Sequence, residues 1–241
     1  MENVLIVENL TIAFGQLLAV NSLSIEVREG EILGIIGPNG SGKTTLLNGI
    51  SGLYKPKSGS VIFKDIDITD FSPSRRCRLG IGRTYQVPRT FEKMTVYENV
   101  LVGGVYGASL SEKKARYKVY EILELTGLLH KKDLFAGSLA LLDRKRLEVA
   151  RALATNPQLL LLDEVAAGLT EAEVNEVLRI VKYIKESGVT IIWIEHILRT
   201  MMEAADRVLC IASGKKLICG NPKEVLAAEE VQEVYLGVEE G

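Results

Sequence analysis

Apolar positions along the chain follow two rhythms, short runs typical of strands and stretches close to the 3.6-residue helical period. Val4 to Val7 and Leu23 to Val27 predict strands flanked by turn residues, and EILGIIG, Glu31 to Gly37, predicts a short apolar strand. A glycine-rich turn follows, then a helix carried by Leu46, Leu47 and Ile50. SVIFKD and GIGRTYQ predict two further strands, the second closing on Gln86. From about Val87 to Ala154 the pattern turns helical; in SEKKARYKVYEILELTGL the apolar residues Ala115, Val119, Ile122, Leu123 and Leu125 keep one face. After Asn156-Pro157 the alternation resumes. QLLLLDE and VTIIWIEH bracket a helix from about Glu171 to Ser187, and DRVLCIASGKKLICG predicts a hairpin turning at Ser213-Gly214. Alternating strands and helices imply an α/β protein with a mainly parallel sheet covered by helices. Residues 87–155 form a helical insertion in it, and no internal repeat or low-complexity linker interrupts the chain.

Composition narrows the picture. With 47% hydrophobic and 25% charged residues in 241, the chain can bury a full core. A net charge of −2 gives no electrostatic ground for a nucleic-acid partner. Cys77, Cys210 and Cys219 are odd in number and lack paired short spacing, which argues against a disulfide framework or a zinc site and fits a reducing compartment. The N-terminal MENVLIVENL carries acidic residues where a secretory signal carries basic ones. No apolar run reaches the ~20 residues that span a bilayer. The expectation is a cytoplasmic protein whose membrane role, if any, comes through a partner.

The strongest chemical signal is GPNGSGKTT, comprising Gly37, Pro38, Asn39, Gly40, Ser41, Gly42, Lys43, Thr44 and Thr45. It matches the phosphate-loop pattern G-x-x-x-x-G-K-[ST] between a predicted strand and a predicted helix. Glycines let backbone amides wrap phosphates, and the new helix points its positive end at them. Lys43 supplies a point charge and Thr44 a hydroxyl for Mg²⁺. A glycine-rich turn without a ligand is the bland alternative, and the strand-loop-helix context weighs against it. LLLLDE ends an apolar strand in Asp163, a carboxylate suited to holding Mg²⁺ through water. Glu164 beside it is placed to orient and polarise an attacking water. Gln86 and His196 each follow a predicted strand and are expected at the same sheet edge.

These residues, in this order, resemble the nucleotide-binding subunit of an ATP-binding cassette transporter, and the resemblance covers nearly the whole chain. It implies a P-loop NTPase core of RecA-like type, an N-terminal antiparallel β subdomain and an inserted α-helical subdomain, all in one domain of residues 1–241. By the same resemblance Phe14 stacks on adenine, Gln86 is the Q-loop residue that also meets the metal, and His196 is the switch histidine. ATP and Mg²⁺ are the implied cofactors. A second ATPase subunit, in a homo- or heterodimer, and transmembrane permease subunits on the inner face of the cell membrane are the implied partners. RTYQVPRTFEKMTVYENVLVG, AAGLTEAEV and the terminal VYLG are most similar to ATPases of branched-chain amino acid importers, with the lipopolysaccharide-exporter ATPase a close relative. Phe91, Met94, Val96 and Tyr97 are expected to offer apolar contacts to a membrane subunit. Soluble two-cassette proteins of translation or repair need more chain than 241 residues.

One stretch departs from the family. Leu139, Ala140, Leu141, Leu142 and Asp143 occupy the positions of the signature Leu-Ser-Gly-Gly-Gln, whose serine and second glycine touch the γ-phosphate of the opposite subunit's ATP. Ala140 has no hydroxyl, Leu142 puts a branched side chain where backbone approaches phosphate, and Asp143 repels phosphate while suiting the helix start. From residues alone this is a structural helix, with Arg144/Glu148 as an i,i+4 pair and Leu147, Ala150 and Ala154 inward. By position it is a degenerate signature, which keeps open a weakly hydrolysing, regulatory cassette. Val165 and Thr170 replace the family's usual proline and aspartate, and Thr170 with Glu173 forms a predicted capping box.

Overall fold

The computed structural model describes residues 2–236, so the Gly237 of VYLG lies outside the described residues. The first two strands, β1 (Asn3–Phe14) and β2 (Leu17–Arg28), are one long antiparallel hairpin, well beyond the short segments that apolar runs marked. Polar positions within them escaped the pattern because bulges near Asn9 and Ser22, both at positive φ, re-aim the alternation. With β4 (Ser58–Phe63) and β5 (Ile66–Asp67) the hairpin makes a four-stranded antiparallel sheet ordered β2-β1-β4-β5.

The second sheet holds β3 (Ile32–Ile36), β6 (Ile81–Arg83), β7 (Leu159–Asp163), β8 (Thr190–Ile194), β9 (Arg207–Ala212) and β10 (Lys215–Gly220). Its order is β10-β9-β3-β8-β7-β6; all neighbours are parallel except the β9/β10 hairpin, which turns at Ser213-Gly214 as expected. β3, β7 and β8 are buried along their whole length, which is why they read as continuous apolar runs rather than alternation. Because β8 lies between β3 and β7, the loops leaving all three strands emerge side by side at one edge.

Helix α1 (Lys43–Ile50) follows β3, and Arg76 of α2 (Pro73–Arg78) closes its far end. The buried guanidinium donates to the carbonyls of Gly49 and Ile50 at 2.7 Å each and to those of Thr69 and Phe71. A cation on the last carbonyls complements the helix dipole, and burial holds Arg76 down to about 10.

Between β6 and β7 lie α3 (Val96–Val102), a π-turn at Gly103–Gly107, α4 (Glu112–Leu125) and α5 (Leu141–Ala154). Helix therefore starts at Val96, capped by a complete Thr95/Glu98 box, and not at Val87. Val96 and Val100 pack against Val119, Leu123 and Leu147 in this block's core, so Val96 is not an outward contact; Phe91 is exposed. α6 (Glu171–Glu186) opens on the predicted Thr170/Glu173 box with both reciprocal bonds made. The helices α7 (Leu198–Ala204), α8 (Pro222–Ala227) and α9 (Glu229–Leu236) complete the chain. No helix among the described residues is long and apolar enough to cross a membrane.

Candidate functional site

The loop between β3 and α1 is shaped by three glycines at positive φ: Gly37, Gly40 and Gly42. A Cβ on Gly42 would stand 2.2 Å from the Ala19 carbonyl oxygen, and one on Gly37 would stand 2.1 Å from that of Ile211, so neither position admits a side chain. Lys43 folds back over the loop and donates to the carbonyls of Gly37 and Pro38 at 2.7 and 2.8 Å. Burial pushes its ammonium below the ordinary value, an effect the Glu164 and Asp163 carboxylates oppose. Ser41 Oγ is buried with no hydrogen-bond partner among the described residues. On the outer side, the Tyr235 hydroxyl accepts from the Gly37 amide at 2.8 Å, a contact no sequence signal announced.

The acid pair sits across this loop. Thr44 Oγ1 donates to Asp163 Oδ1 at 3.3 Å, and Arg83 approaches Asp163 Oδ2 at 3.5 Å while donating to Ser51 Oγ at 2.8 Å. Burial raises the Asp163 carboxyl above its ordinary value, and the Arg83 charge counters that. Glu164 has both carboxylate oxygens engaged: Gln86 Nε2 donates to Oε2 at 2.7 Å, and His196 Nε2 lies 2.8 Å from Oε1. β6 stops at Arg83, so Gln86 reaches Glu164 from a bend three residues past the strand rather than from its end. His196 likewise stands two residues beyond β8.

Glu164 itself adopts φ 51°, in the left-handed region. For a residue with a side chain this conformation costs about 1–2 kcal/mol, and it persists only where surroundings enforce it. Two buried charged residues meet its turn. Lys145 Nζ of α5 donates to the Glu164 carbonyl at 2.8 Å, and Glu195 Oε1 accepts from the Ala166 amide at 2.6 Å. Sequence reading missed both, as it missed Arg83, because each lies far along the chain from what it touches.

A cavity of about 390 Å³ opens between these groups, lined by Phe14, Leu17, Ala19, Asn39, the stretch Gly40 to Thr45, Gln86 and Glu164. Phe14 is 47% exposed at the end of β1, edge-on to Tyr54 at 5.1 Å; it belongs to the cavity mouth and not to the core. The volume falls in the range of small-molecule sites. The orphaned Ser41 hydroxyl, the side-chain-free cradle and the oxygen pair of Thr44 and Asp163 fit a polyphosphate with a hard divalent cation. No three His, Cys, Asp or Glu side chains converge among the described residues, so such a cation would lean on the phosphates for its remaining ligands.

The stretch from Leu139 to Asp143 lies elsewhere on the described chain, and its geometry corrects three expectations. Ala140 is the N-cap of α5 and supplies no side-chain cap; Asp143 does not cap either. Asp143 is 6% exposed, paired with Lys131 and with Arg146 at 3.6 Å, so its charge is neutralised and buried. Leu142 packs half-buried against the helical core, and Leu141, 46% exposed, is the side chain that projects. Both outcomes follow from helix phase: residue 143 falls on the inner face established by Leu147, Ala150 and Ala154, and residue 142 on the flank shared with Val149 and Leu153. The Arg144/Glu148 pair does not form. Arg144 donates to the carbonyls of Leu139 and Gly137 at 2.8 Å each, while Glu148 takes Arg151 and the Arg89 amide.

A phosphate loop leaving one strand of a parallel sheet, faced by an acid pair leaving another, defines the class of P-loop nucleoside triphosphatases. The ABC transporter family profile matches residues 20–167. The high-affinity branched-chain amino acid transport ATP-binding protein LivG of Salmonella typhimurium is 37% identical over 248 aligned positions, covering 97% of each chain. The lipopolysaccharide export system ATP-binding protein LptB of Haemophilus influenzae is 32% identical, covering 98% of each. A crystal structure of an ATP-binding cassette of an ABC transporter in its ADP conformation superposes with a TM-score of 0.91 at 35% identity, covering 98% of this chain and 100% of that one. The chain belongs to the ABC transporter family and is an ATPase of that family.

Proposed function

We propose that this chain is the ATP-hydrolysing subunit of a branched-chain amino acid importer, seated on the cytoplasmic face of the membrane through permease subunits. The observation that carries the reading is one cavity lined by residues 39–45, Gln86 and Glu164 with Phe14 at its mouth, Asp163 bonded to its Thr44 and His196 to its Glu164. Identity over nearly full length favours the importer ATPase, 37% against 32% for the exporter ATPase.

In this reading the loop amides and Lys43 hold the β- and γ-phosphates, and adenine stacks on Phe14. Thr44, Asp163 and Gln86 hold Mg²⁺, which when bound neutralises charge developing on the phosphates. Glu164 orients the attacking water and takes up its proton. Gln86 and His196 each take one acceptor site of the Glu164 carboxylate and fix its orientation, and each oxygen keeps a second lone pair for the water. The second subunit of the sandwich meets the bare amides at the start of α5, with Ala140 and Leu141 facing it. Residues 87–155 form the transporter-facing subdomain, with exposed Val87 and Phe91, and Met94 and Tyr97 less so, as its apolar contacts.

The test is reconstitution in vesicles with the permease subunits and binding protein of a branched-chain amino acid importer and, separately, with the permease subunits of a lipopolysaccharide exporter. ATP-dependent uptake of labelled leucine, isoleucine or valine, abolished by Glu164→Gln, is expected. ATP-dependent release of lipopolysaccharide with no amino acid uptake would move the chain to the exporter group.

A further inference from the structure

The strained turn after Asp163 is gripped at two points by residues to which the proposed hydrolysis assigns no part. Lys145 projects from α5 and is 5% exposed; its ammonium donates to the Glu164 carbonyl at 2.8 Å. Glu195, at the end of β8 and fully buried, accepts the Ala166 amide at 2.6 Å and the Trp193 indole N–H at 3.2 Å, both on Oε1. Its Oε2 has no hydrogen-bond partner among the described residues. A buried ammonium and a buried carboxyl group thus hold the Glu164 carbonyl and an amide two residues on. Ordinary packing does not call for such groups, since burying charge is costly unless the charge does something apolar side chains cannot. Here each supplies a strong, directional bond to backbone that has left its regular ladder.

We propose that Lys145 and Glu195 are positioning residues for Glu164, a two-point clamp that holds its left-handed backbone and so fixes where its carboxylate stands. The inference rests on the reading of Glu164 as the water-orienting group. The clamp acts on backbone only; neither residue reaches the cavity lining. Without it the turn relaxes towards ordinary φ, which swings the Glu164 side chain off the line joining Gln86 and His196. Lys145 and Glu195 also face each other electrostatically, each countering the other's desolvation, so the two halves support one another.

The experiment uses the full chain with Mg-ATP and four variants: Glu195→Ala, Glu195→Gln, Lys145→Met and Glu164→Gln. Hydrogen exchange of the peptide carrying Glu164 to Ala167 reads the clamp without reference to turnover. Protection there is expected to fall in Glu195→Ala and Lys145→Met and to be largely recovered in Glu195→Gln, whose amide oxygen can accept the same two bonds. Turnover should follow: a loss in kcat of about 10²-fold for the first two variants, as for a slightly misplaced catalytic group, with KM unchanged and the rate substantially recovered in Glu195→Gln. The emission of Trp193, the chain's only tryptophan, should shift in Glu195→Ala, where its acceptor is lost. If Glu195→Ala does not fold, Lys145→Met, which keeps most of the alkyl stem, carries the test.

Unchanged exchange in the clamp variants, normal kcat in them, or losses shared equally with KM would overturn the clamp. Normal turnover in Glu164→Gln alongside the expected exchange pattern would instead overturn the assignment of Glu164 and leave the clamp standing.

Discussion

Replacing Ala140 by Ser and Leu141 by Gly restores the first two departures of the signature stretch without touching the core. Both positions are exposed at the start of α5. Serine at an N-cap gains about 1 kcal/mol over alanine, and glycine in place of leucine at an exposed helix start costs up to about 1 kcal/mol. Stability should therefore stay level. The other two positions are different. Leu142→Gly strips packing from the helical core, and Asp143→Gln leaves Lys131 and Arg146 without the buried carboxylate they pair with. The full Ser-Gly-Gly-Gln replacement should accordingly be less stable than the double variant. On activity, a missing preorganised donor at developing charge costs about 3–4 kcal/mol, or 10²–10³ in rate. Restoring the hydroxyl and clearing Leu141 should raise phosphate release by the homodimer at saturating Mg-ATP by at least about tenfold. A heterologous subunit with an intact signature should rescue the unmodified chain in the same assay. Brisk hydrolysis by the unmodified homodimer, with no gain in the double variant, refutes the assignment of this stretch.

Other perturbations separate the remaining parts of the site. Glu164→Gln should stop turnover and spare ATP binding, whereas Lys43→Ala should weaken binding itself; equal loss of affinity in both would deny this division, as read by nucleotide titration. Phe14→Ala should weaken ATP affinity about fivefold or more, from stacking worth ~1–3 kcal/mol, and unchanged affinity would remove Phe14 from the site. Burial raises Glu195 from 4.5 to about 7, so the folded state holds its proton more tightly than the unfolded one. Its cost to stability is absent below the unfolded value and grows as pH rises through the folded one. Lys145 faces it and opposes that rise, and the Glu195→Gln variant should gain on wild type by roughly 2–3 kcal/mol between pH 5 and pH 8. A pH-independent gap in denaturant unfolding would contradict that.

The sequence alone determined what is local. The spacing of Gly37, Gly40, Gly42 and Lys43 between an apolar run and a helical one wrote the phosphate loop, since backbone wrapping needs glycine at those very places. The Thr170/Glu173 box and the Ser213-Gly214 turn were legible for the same reason: their bonds close within a few residues. Resemblance to a family placed Gln86, Glu164 and His196 together, yet periodicity alone could not show that β8 runs between β3 and β7. What only the tertiary structure decided are pairings across the chain. Asp143 meets Lys131, Arg83 meets Asp163, Lys145 meets the Glu164 carbonyl and Glu195 the Ala166 amide. Helix phase relative to the core, not residue type, sent Asp143 inward, set Leu142 on a half-buried flank and left Leu141 outside. A charged residue in sequence carries no mark of burial; that depends on which distant surface packs over it, and only the assembled sheet and helices supply that surface.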